Sequence, residues 1–392
     1  MDIEKNQITV LHSTNQWLPQ TMTWLYNQIR FLLPIISSHI VCESTANLSQ
    51  FNLPNIHSFS NANFFRYYWD KSIRKLGLRQ HLEFQTALAK KNNVDILHSH
   101  FGNRGWIDLN TAKSANVKHV VTFYGVDVNH LPKQHPFWLQ RYQVLFEKVD
   151  KVLCEGPHMA QCIGALGCPD KKVQVHHLGI NLDEIKFKPR IWSPGDPLRV
   201  LIASTFREKK GIPYALEALG RLQETLPLEI TLIGDASNEP RSQKEKQNIL
   251  AVIKKYNLQP KLRMPGFQNH NALFEEAYRH HIFLSPSVTA SDGDTEGGAP
   301  VSIIELLASG MPVVSTNHCD IPQIIKHKIT GLLAEERDIE GLMNNLQWLI
   351  DNSKSWLHLV EAGRRHVEEE YNAKIQGERL TRIYQELMSK AK

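Results

Sequence analysis

Short runs of β-branched and apolar residues recur along the chain, separated by longer stretches with helical patterns. In the first half the runs are Ile8–Leu11, Ile40–Cys42, Ile96–His98, Val120–Phe123, Val152–Cys154 and Val173–Val175. In the second half they are Arg199–Ile202, Ile230–Ile233, Leu262–Met264, Ile282–Leu284 and Val313–Ser315. Strands that alternate with helices imply parallel sheets covered on both faces, so the pattern predicts an α/β protein with two doubly wound halves. Between the halves, Pro189-Arg-Ile-Trp-Ser-Pro194-Gly-Asp-Pro197 carries three prolines and a glycine. Such a segment forbids a continuing helix or central strand and reads as a linker. The expected organisation is a domain over 1–190, a second over 191–370, and a C-terminal helix over 371–392.

Composition narrows the class. The chain has 392 residues, 42% of them hydrophobic and 22% charged, enough for two soluble cores and too apolar for disorder. The most apolar stretch, Ile29 to Cys42, is interrupted by Pro34 and falls short of the ~20 residues a membrane span needs. The first residues are mixed in charge and do not resemble a signal peptide, so a cytoplasmic protein is expected. Five scattered cysteines with no Cys-x-x-Cys pair suit reduced thiols. The net charge of +5 is unevenly placed. Residues 1–195 hold 21 Lys and Arg against 14 Asp and Glu, whereas residues 196–392 hold 24 against 26. The first half is therefore the basic one, suited to phosphate, nucleic acid or an anionic surface.

Open α/β sheets bind ligands at the carboxyl ends of their strands. The turn after the first run reads His12-Ser-Thr-Asn-Gln-Trp17, with no Gly-x-Gly-x-x-Gly, which disfavours a nicotinamide or flavin enzyme. No Gly-x-x-x-x-Gly-Lys-Ser/Thr loop is present either.

The densest chemistry lies in Asp292-Gly-Asp-Thr-Glu296-Gly-Gly-Ala-Pro300-Val-Ser-Ile-Ile-Glu305-Leu-Leu-Ala-Ser-Gly310. An acidic, glycine-bearing loop leads into a helix that begins at Pro300 and stops at Gly310. The free N–H groups at that helix start favour a phosphate, and Gly297 and Gly298 let the backbone approach it. Glu305, in an otherwise apolar helix, has two acceptor oxygens suited to a vicinal diol such as a ribose. Glu296 is placed to accept hydroxyls of a sugar beyond the phosphates. A diphosphate needs further positive charge, and Arg207-Glu-Lys-Lys210-Gly211, after the first strand of the second half, offers a clamp. His98-x-His100 could present two imidazoles on one strand face, but no third ligand stands at suggestive spacing, so no metal is expected.

These residues resemble the retaining nucleotide-sugar glycosyltransferases of family 4, which have the GT-B fold of two facing Rossmann-like domains. The resemblance spans almost the whole chain. It rests on the Glu296–Glu305 block with Gly310-Met-Pro-Val-Val, Glu208-Lys-Lys-Gly211, Ile233-Gly-Asp235, Pro265-Gly-Phe267, Gly179-Ile-Asn181 and Thr330-Gly-Leu-Leu333. Among subgroups, Asp292-Gly-Asp-Thr-Glu-Gly is most similar to the colanic-acid type of exopolysaccharide and lipopolysaccharide assembly. The resemblance implies ribose binding by Glu305, hexose binding by Glu296, and diphosphate binding by Arg207 with Lys210. It implies a nucleobase beside Gly266 and Phe267, and an acceptor near His98, His100, Tyr124, Gly125 and Asp127. It also implies that the helix after Tyr371 crosses back to the first domain. Three features depart from the family pattern. Eight residues separate the two glutamates, one more than usual; Ser204-Thr205 replaces the usual Gly-Arg; and Tyr124 stands where many relatives have a histidine.

The expected reaction is front-face transfer with retention, in which the leaving phosphate takes the acceptor proton and Arg207, Lys210 and the helix start offset the developing charge. No cofactor is expected; the nucleotide-diphosphate sugar is a co-substrate, and the acceptor is a saccharide or a lipid-linked saccharide. A nucleotide-sugar epimerase, a sugar-phosphate synthase, or a silent sugar- or lipid-binding partner are the alternatives. Asn63-Phe-Phe-Arg66-Tyr-Tyr-Trp69-Asp-Lys71-Ser-Ile-Arg74-Lys75-Leu-Gly-Leu-Arg79 alternates aromatic and basic residues, as an ordinary amphipathic surface helix or a contact with an anionic membrane would. Single-stranded nucleic acid would suit the same residues, but nothing else in the chain supports it as a partner.

Overall fold

The computed structural model describes residues 7–19, 22–59, 64–76 and 82–389; the side chains of residues 64–67, 71 and 74 are outside that description. The chain divides into two compact units, Met1–Gly179 with Ala373–Lys392, and Ile180–Asn372. In the first unit the strands are β1 (Ile8–Trp17), β2 (Ile36–Thr45), β3 (Ile56–Ser58), β4 (Ile96–His100), β5 (Lys118–Phe123), β6 (Lys151–Cys154) and β7 (Val173–Val175). They lie in the order β3-β2-β1-β4-β5-β6-β7 and pair parallel throughout. In the second unit β8 (Leu198–Ala203), β9 (Leu228–Ile233), β10 (Leu262–Gly266), β11 (Ile282–Ser285), β12 (Val313–Thr316) and β13 (Leu332–Ala334) lie in the order β10-β9-β8-β11-β12-β13.

Every apolar run read from the sequence falls within one of these strands. β3 and β13 are additional, and each has only three residues at a sheet edge, too few to make a run of their own. Burial on both faces is visible residue by residue. Val200 and Ile202 enter one apolar cluster and Leu201, between them, enters another. Val121 and Phe123 likewise face away from Val120. Each such aliphatic side chain, removed from water, stabilises the fold by roughly 2 kcal/mol before cavity terms.

The proline-rich segment lies inside the second unit. Lys188 N–H and Arg190 N–H donate to Ser309 O and Gly310 O, and the Arg190 guanidinium reaches Ala277 O and Ser309 O. These bonds hold the segment against the second unit up to the turn before β8, and the division of the chain falls earlier, at Gly179. The C-terminal helix, Ala373–Ser389, places Leu380, Ile383 and Tyr384 against Val10, Ile96, Val120 and Leu153 of the first sheet. Gly377 permits this approach, since a Cβ there would lie 2.0 Å from Phe31 O.

The carboxyl halves of β1 and β4 change from apolar to polar, and their side chains form two buried polar layers. His12 and His98 are paired in register, so with His100 they share one face of the sheet. His98 meets Tyr384 Oη at 2.6 Å and Thr122 Oγ1 at 2.7 Å, while His12 Nδ1 lies 3.2 Å from His100 Nε2. On the other face, Arg104 is fully buried; its Nε donates to Ser13 Oγ at 2.7 Å and lies 3.3 Å from Asp108. Ser99 Oγ donates to Asp108 at 2.8 Å and lies 2.9 Å from His119 Nε2.

Burial keeps these histidines neutral. It lowers the pKa of His12 to about 3, that of His119 to about 4, and those of His98 and His100 well below the usual range. The unfolded chain takes up protons near pH 6.5 and the folded unit resists until far lower. Stability is therefore fully present above about pH 6.5 and falls as the solution is acidified, by up to ~1.4 kcal/mol per pH unit for each histidine. Urea unfolding of the full chain is expected to lose at least ~3 kcal/mol between about pH 7 and about pH 5; a flat profile would mean that the cluster is charged or hydrated.

Candidate functional site

β8 and β11 are adjacent in the second sheet, and the strand order reverses between them. Chain segments leaving such a pair diverge and open a crevice at the carboxyl ends. From β8 the chain passes through Ser204–Arg207 into a 3-10 turn, Glu208–Lys210, and then the helix Ile212–Leu222. Gly211 joins turn to helix at φ +63°, and a Cβ there would lie 1.8 Å from Pro286 O, so no other residue fits. From β11 the chain runs through the acidic loop into the helix Val301–Ala308, with Pro300 at its N-cap.

The two loops are tied by charge. Lys210 Nζ donates to Glu296 Oε2 at 2.8 Å, and Ser287 Oγ donates to Glu296 Oε1 at 2.7 Å. The Glu296 side chain is only 6% exposed. Burial alone would raise its pKa; the charges of Lys210 and Lys209, with hydrogen bonds from Lys210 and Ser287, reverse this and hold it at about 2. Lys209 Nζ donates to Asp294 Oδ1 at 3.1 Å and to Thr295 O at 2.8 Å. Arg207 has both arms of its guanidinium engaged, by Asp294 at 3.0 Å and Glu239 at 3.3 Å. Asp292 and Glu239 are bridged in turn by Arg241. The Asp292-Gly-Asp294 stretch is thus laced to the protein's own cations. Beside Glu296, Gly297 adopts φ +79° and donates to Thr295 Oγ1 at 3.1 Å.

Glu305 lies on the helix Val301–Ala308 and is 9% exposed. Its Oε1 accepts from His270 Nε2 at 3.0 Å, and this bond raises the imidazole's pKa. His270 opens the helix His270–Ala277, capped by Asn269. Three residues before it, at the end of β10, Phe267 is 59% exposed, and Gly266 has open space where a side chain would be. Glu296, Lys210, Arg207 and Gly297 are thus brought together in one bonded network, and Glu305 with His270 forms a second pair on the helix the loop leads into.

In the first unit His100, Tyr124 and Asp127 do converge, but inward. His100 Nδ1 lies 2.7 Å from Tyr124 Oη, which donates to Gln28 Oε1 at 3.2 Å. Asp127 accepts from Gly102 N–H at 2.6 Å and Tyr124 N–H at 3.0 Å, closing the start of the helix Gly102–Ala115. Burial raises its pKa to about 6. Gly125, at φ +106°, begins the turn that makes this possible. One nitrogen from each of His12, His98 and His100 lies within 4.8 Å of the others, a group able to offer three ligands to a metal ion. His12 is a third imidazole that sequence spacing did not expose. Both nitrogens of His98 are already engaged by hydroxyls, and the electrostatic influences on it come from other histidines, so the arrangement reads as a packed polar layer.

Four residues of the site escaped sequence reasoning. His270 and Ser287, with His318, whose Nε2 accepts from Glu296 N–H, and Glu336, which accepts from His318 Nδ1, belong to no motif, and these bonds span 9 to 35 positions of the chain. The only usable signal was position, since each stands just after a strand of the second sheet.

Comparison with known proteins gives a consistent picture. Residues 183–366 match the family described as Glycosyl transferases group 1, and residues 36–184 match Glycosyltransferase Family 4. The amylovoran biosynthesis glycosyltransferase AmsK of Erwinia amylovora is 32% identical over 306 residues, 77% of this chain and 72% of that protein. WcaL of Escherichia coli, named for colanic acid biosynthesis, is 30% identical over 311 residues, 76% of this chain and 72% of its own length. A glycosyltransferase from Rickettsia africae superposes with a TM-score of 0.75 at 20% identity, covering 98% of this chain and 99% of that one. HepE of Anabaena, solved with UDP and glucose, also reaches 0.75, at 14% identity, covering 98% of this chain and all of that one.

Breaking the Lys210–Glu296 pair has a defined cost. Lys210→Met leaves a buried carboxylate with Ser287 and the weaker influence of Lys209, and is expected to destabilise the chain by about 3 kcal/mol at neutral pH. Because Glu296 is held near 2 when folded and titrates near 4.3 when unfolded, its contribution is present above about pH 4.3 and is lost as pH falls toward 2. The variant and the parent are therefore expected to converge in acid. Urea unfolding of variant and parent at neutral pH, and at the lowest pH at which both still fold, checks this; equal stability at neutral pH would mean that Lys210 does not hold Glu296.

Proposed function

The chain belongs to the family 4 glycosyltransferases of GT-B fold, and from that premise we propose that it moves a hexose from a nucleotide-diphosphate sugar onto a saccharide or lipid-linked acceptor in exopolysaccharide assembly, with retention at the anomeric carbon. The observation that carries the reading is the placing of two buried carboxylates, Glu296 bonded to Lys210 and Glu305 bonded to His270, on one loop-and-helix at the reversal of the second sheet. A carboxylate kept ionised in a dry site is a strong acceptor for sugar hydroxyls.

In this reading Glu305 takes the ribose hydroxyls, with His270 beside it, and Phe267 and Gly266 border the base. Glu296 takes hydroxyls of the transferred hexose. Gly297, Gly298 and the start of the helix Val301–Ala308 face the diphosphate, where Lys210 offsets the charge that grows as the sugar departs. Arg207 joins them by exchanging Glu239 or Asp294 for phosphate oxygens. Glu296 is ill-suited to be a nucleophile, since both of its oxygens are occupied, by Lys210 and Ser287. Front-face attack, with the departing phosphate accepting the acceptor's proton, requires no such nucleophile. The positive charge at the leaving group is supplied by side chains and the helix terminus, with no metal required. HepE has been solved with UDP-glucose; for this chain the donor is proposed only as a nucleotide-diphosphate hexose.

The basic first unit is proposed to receive the acceptor, with His100, Tyr124, Gly125 and Asp127 shaping its polar floor rather than reaching out to the ligand. The helix Phe64–Lys75 adds a peripheral contact with an anionic membrane, at which lipid-linked acceptors are held. Tyr68 and Trp69 on it are 52% and 68% exposed, and Leu76 just beyond is 72% exposed. Arg79 lies outside the described residues, as do the side chains of Arg66, Lys71 and Arg74. Among the described residues no helix is long and apolar enough to cross a membrane.

A panel of UDP-, GDP- and ADP-hexoses, assayed for nucleotide release with and without saccharide acceptors, tests the reaction. Release stimulated by acceptor, with an axial product linkage from an axial donor, is expected. Donor interconversion without acceptor would make the protein an epimerase, and no turnover would make it a silent partner. Glu305→Ala should weaken nucleotide binding by about tenfold to a hundredfold, the scale of lost bonds to a charged group, and Arg207→Ala should lower turnover more than donor affinity. Unchanged nucleotide affinity in the first removes Glu305 from the ribose. Cosedimentation with vesicles rich in anionic lipid should fall with added salt and on neutralising Arg66, Arg74 and Arg79; no binding at low salt ends the membrane proposal.

A further inference from the structure

We propose that His318 and Glu336, which belong to none of the motifs above, are positioning residues for transfer: together they hold the backbone and carboxylate of Glu296 in the orientation that receives the sugar. The inference rests on the sugar-binding role given to Glu296.

His318 leaves the end of β12 and is 1% exposed. Two donors converge on its Nε2, the Glu296 N–H at 3.1 Å and the Cys319 thiol at 3.2 Å. A nitrogen that accepts carries no proton, so the ring proton sits on Nδ1, which donates to Glu336 Oε1 at 2.6 Å. The tautomer is therefore fixed by its neighbours on both sides. Glu336 in turn accepts from Thr289 N–H at 2.8 Å and Thr289 Oγ1 at 3.2 Å. Thr289 lies two residues after Ser287, whose hydroxyl holds Glu296 Oε1.

Glu336 thus ties together the chain leaving β11 and the chain leaving β12, and each of these grips Glu296 at a different point. Ser287 fixes the carboxylate and His318 fixes the amide. The side chain of Glu296 is then aimed by three partners, Lys210, Ser287 and its own pinned backbone. This is the arrangement by which outer partners of a reacting group are known to matter, through orientation rather than contact. The loop needs such support because it bends there: Gly297 follows Glu296 at φ +79°, so the direction of the chain at Glu296 is not set by a regular element.

The test uses the full chain, the donor that the wild type turns over in the hexose panel, and binding of UDP and GDP measured by calorimetry. His318→Phe keeps a flat aromatic ring, somewhat larger than the imidazole, and removes all three bonds; it is expected to lower kcat by about tenfold to a hundredfold while nucleotide affinity stays within about twofold. His318→Gln restores an acceptor for the Glu296 amide and should recover at least half of the loss on a logarithmic scale. Wild-type kcat in His318→Phe would overturn the inference, and so would an equal loss of nucleotide binding, which marks general loosening of the unit. Should His318→Phe fail to fold, Glu336→Gln decides: it keeps an acceptor for the imidazole N–H but loses the charge, and reduced kcat at unchanged nucleotide affinity supports the pair, whereas wild-type kcat overturns it. A wild type that releases nucleotide from no donor overturns the transferase reading and this inference with it; an active wild type with unaffected variants overturns this inference alone.

Discussion

Keeping a carboxylate ionised where water scarcely reaches it is the constraint around which the second unit is built. Glu296 is 6% exposed and yet held charged, which is possible only because a lysine, a hydroxyl and a second lysine supply what water would otherwise give. The residues bonded to Glu296 arrive from three different strand ends. Lys210 comes from the turn after β8, Ser287 from the exit of β11, and His318, on the amide, from the exit of β12. The parallel order of the sheet, with β8 beside β11 and β11 beside β12, is what allows three consecutive strand ends to serve one residue.

The first unit solves a different problem with the same architecture. Its central strands carry histidines and serines where those of the second sheet carry mainly leucine, isoleucine and phenylalanine, so its interior must accommodate polar atoms on both faces. Many of these atoms are engaged by complementary side chains on the covering helices: Tyr384 and Gln28 on one side, Arg104, Asp108 and Gln85 on the other. Buried polar layers of this kind specify one packing arrangement, since sliding a helix by one turn would strand several donors at once. They also explain why residues that resemble acceptor ligands in the sequence are turned inward. Asp127 closes a helix start and Tyr124 completes a hydrogen-bonded row, tasks that leave their polar atoms engaged.

The fold was largely legible in the sequence because strands buried on both faces leave an unmistakable trace: short runs with few polar residues. What left no such trace was β3 and β13, where an edge position and three residues of length are not enough to shape composition. Similarly, Glu296, Glu305 and Lys210 could be picked out because charged residues among glycines and apolar helices stand in contrast to their surroundings. The ion pairs of Arg207 left no such mark: Asp294 and Glu239 are distant in sequence, and ion pairing between distant residues has no local signature. His270 and His318 illustrate the same limit. A lone histidine in a loop has no periodicity to betray it, and only the closing of the sheet reveals that one faces Glu305 and the other Glu296.

The first unit is assembled from both ends of the chain, and its buried His98–Tyr384 contact joins residues 286 positions apart. Closing so long a loop is slow if the intervening chain is unstructured, but a folded second unit brings residues 180 and 372 to a parallel bridge and so removes nearly the whole intervening length from the search. On a ribosome the order is therefore set by connectivity. The strands of the first sheet emerge before the helix that covers one of their faces, so that face stays uncovered until the second unit has been translated and the helix Ala373–Ser389 follows it. Completion of the first core thus waits on a helix that lies beyond the whole second unit in the sequence, Ala373–Ser389.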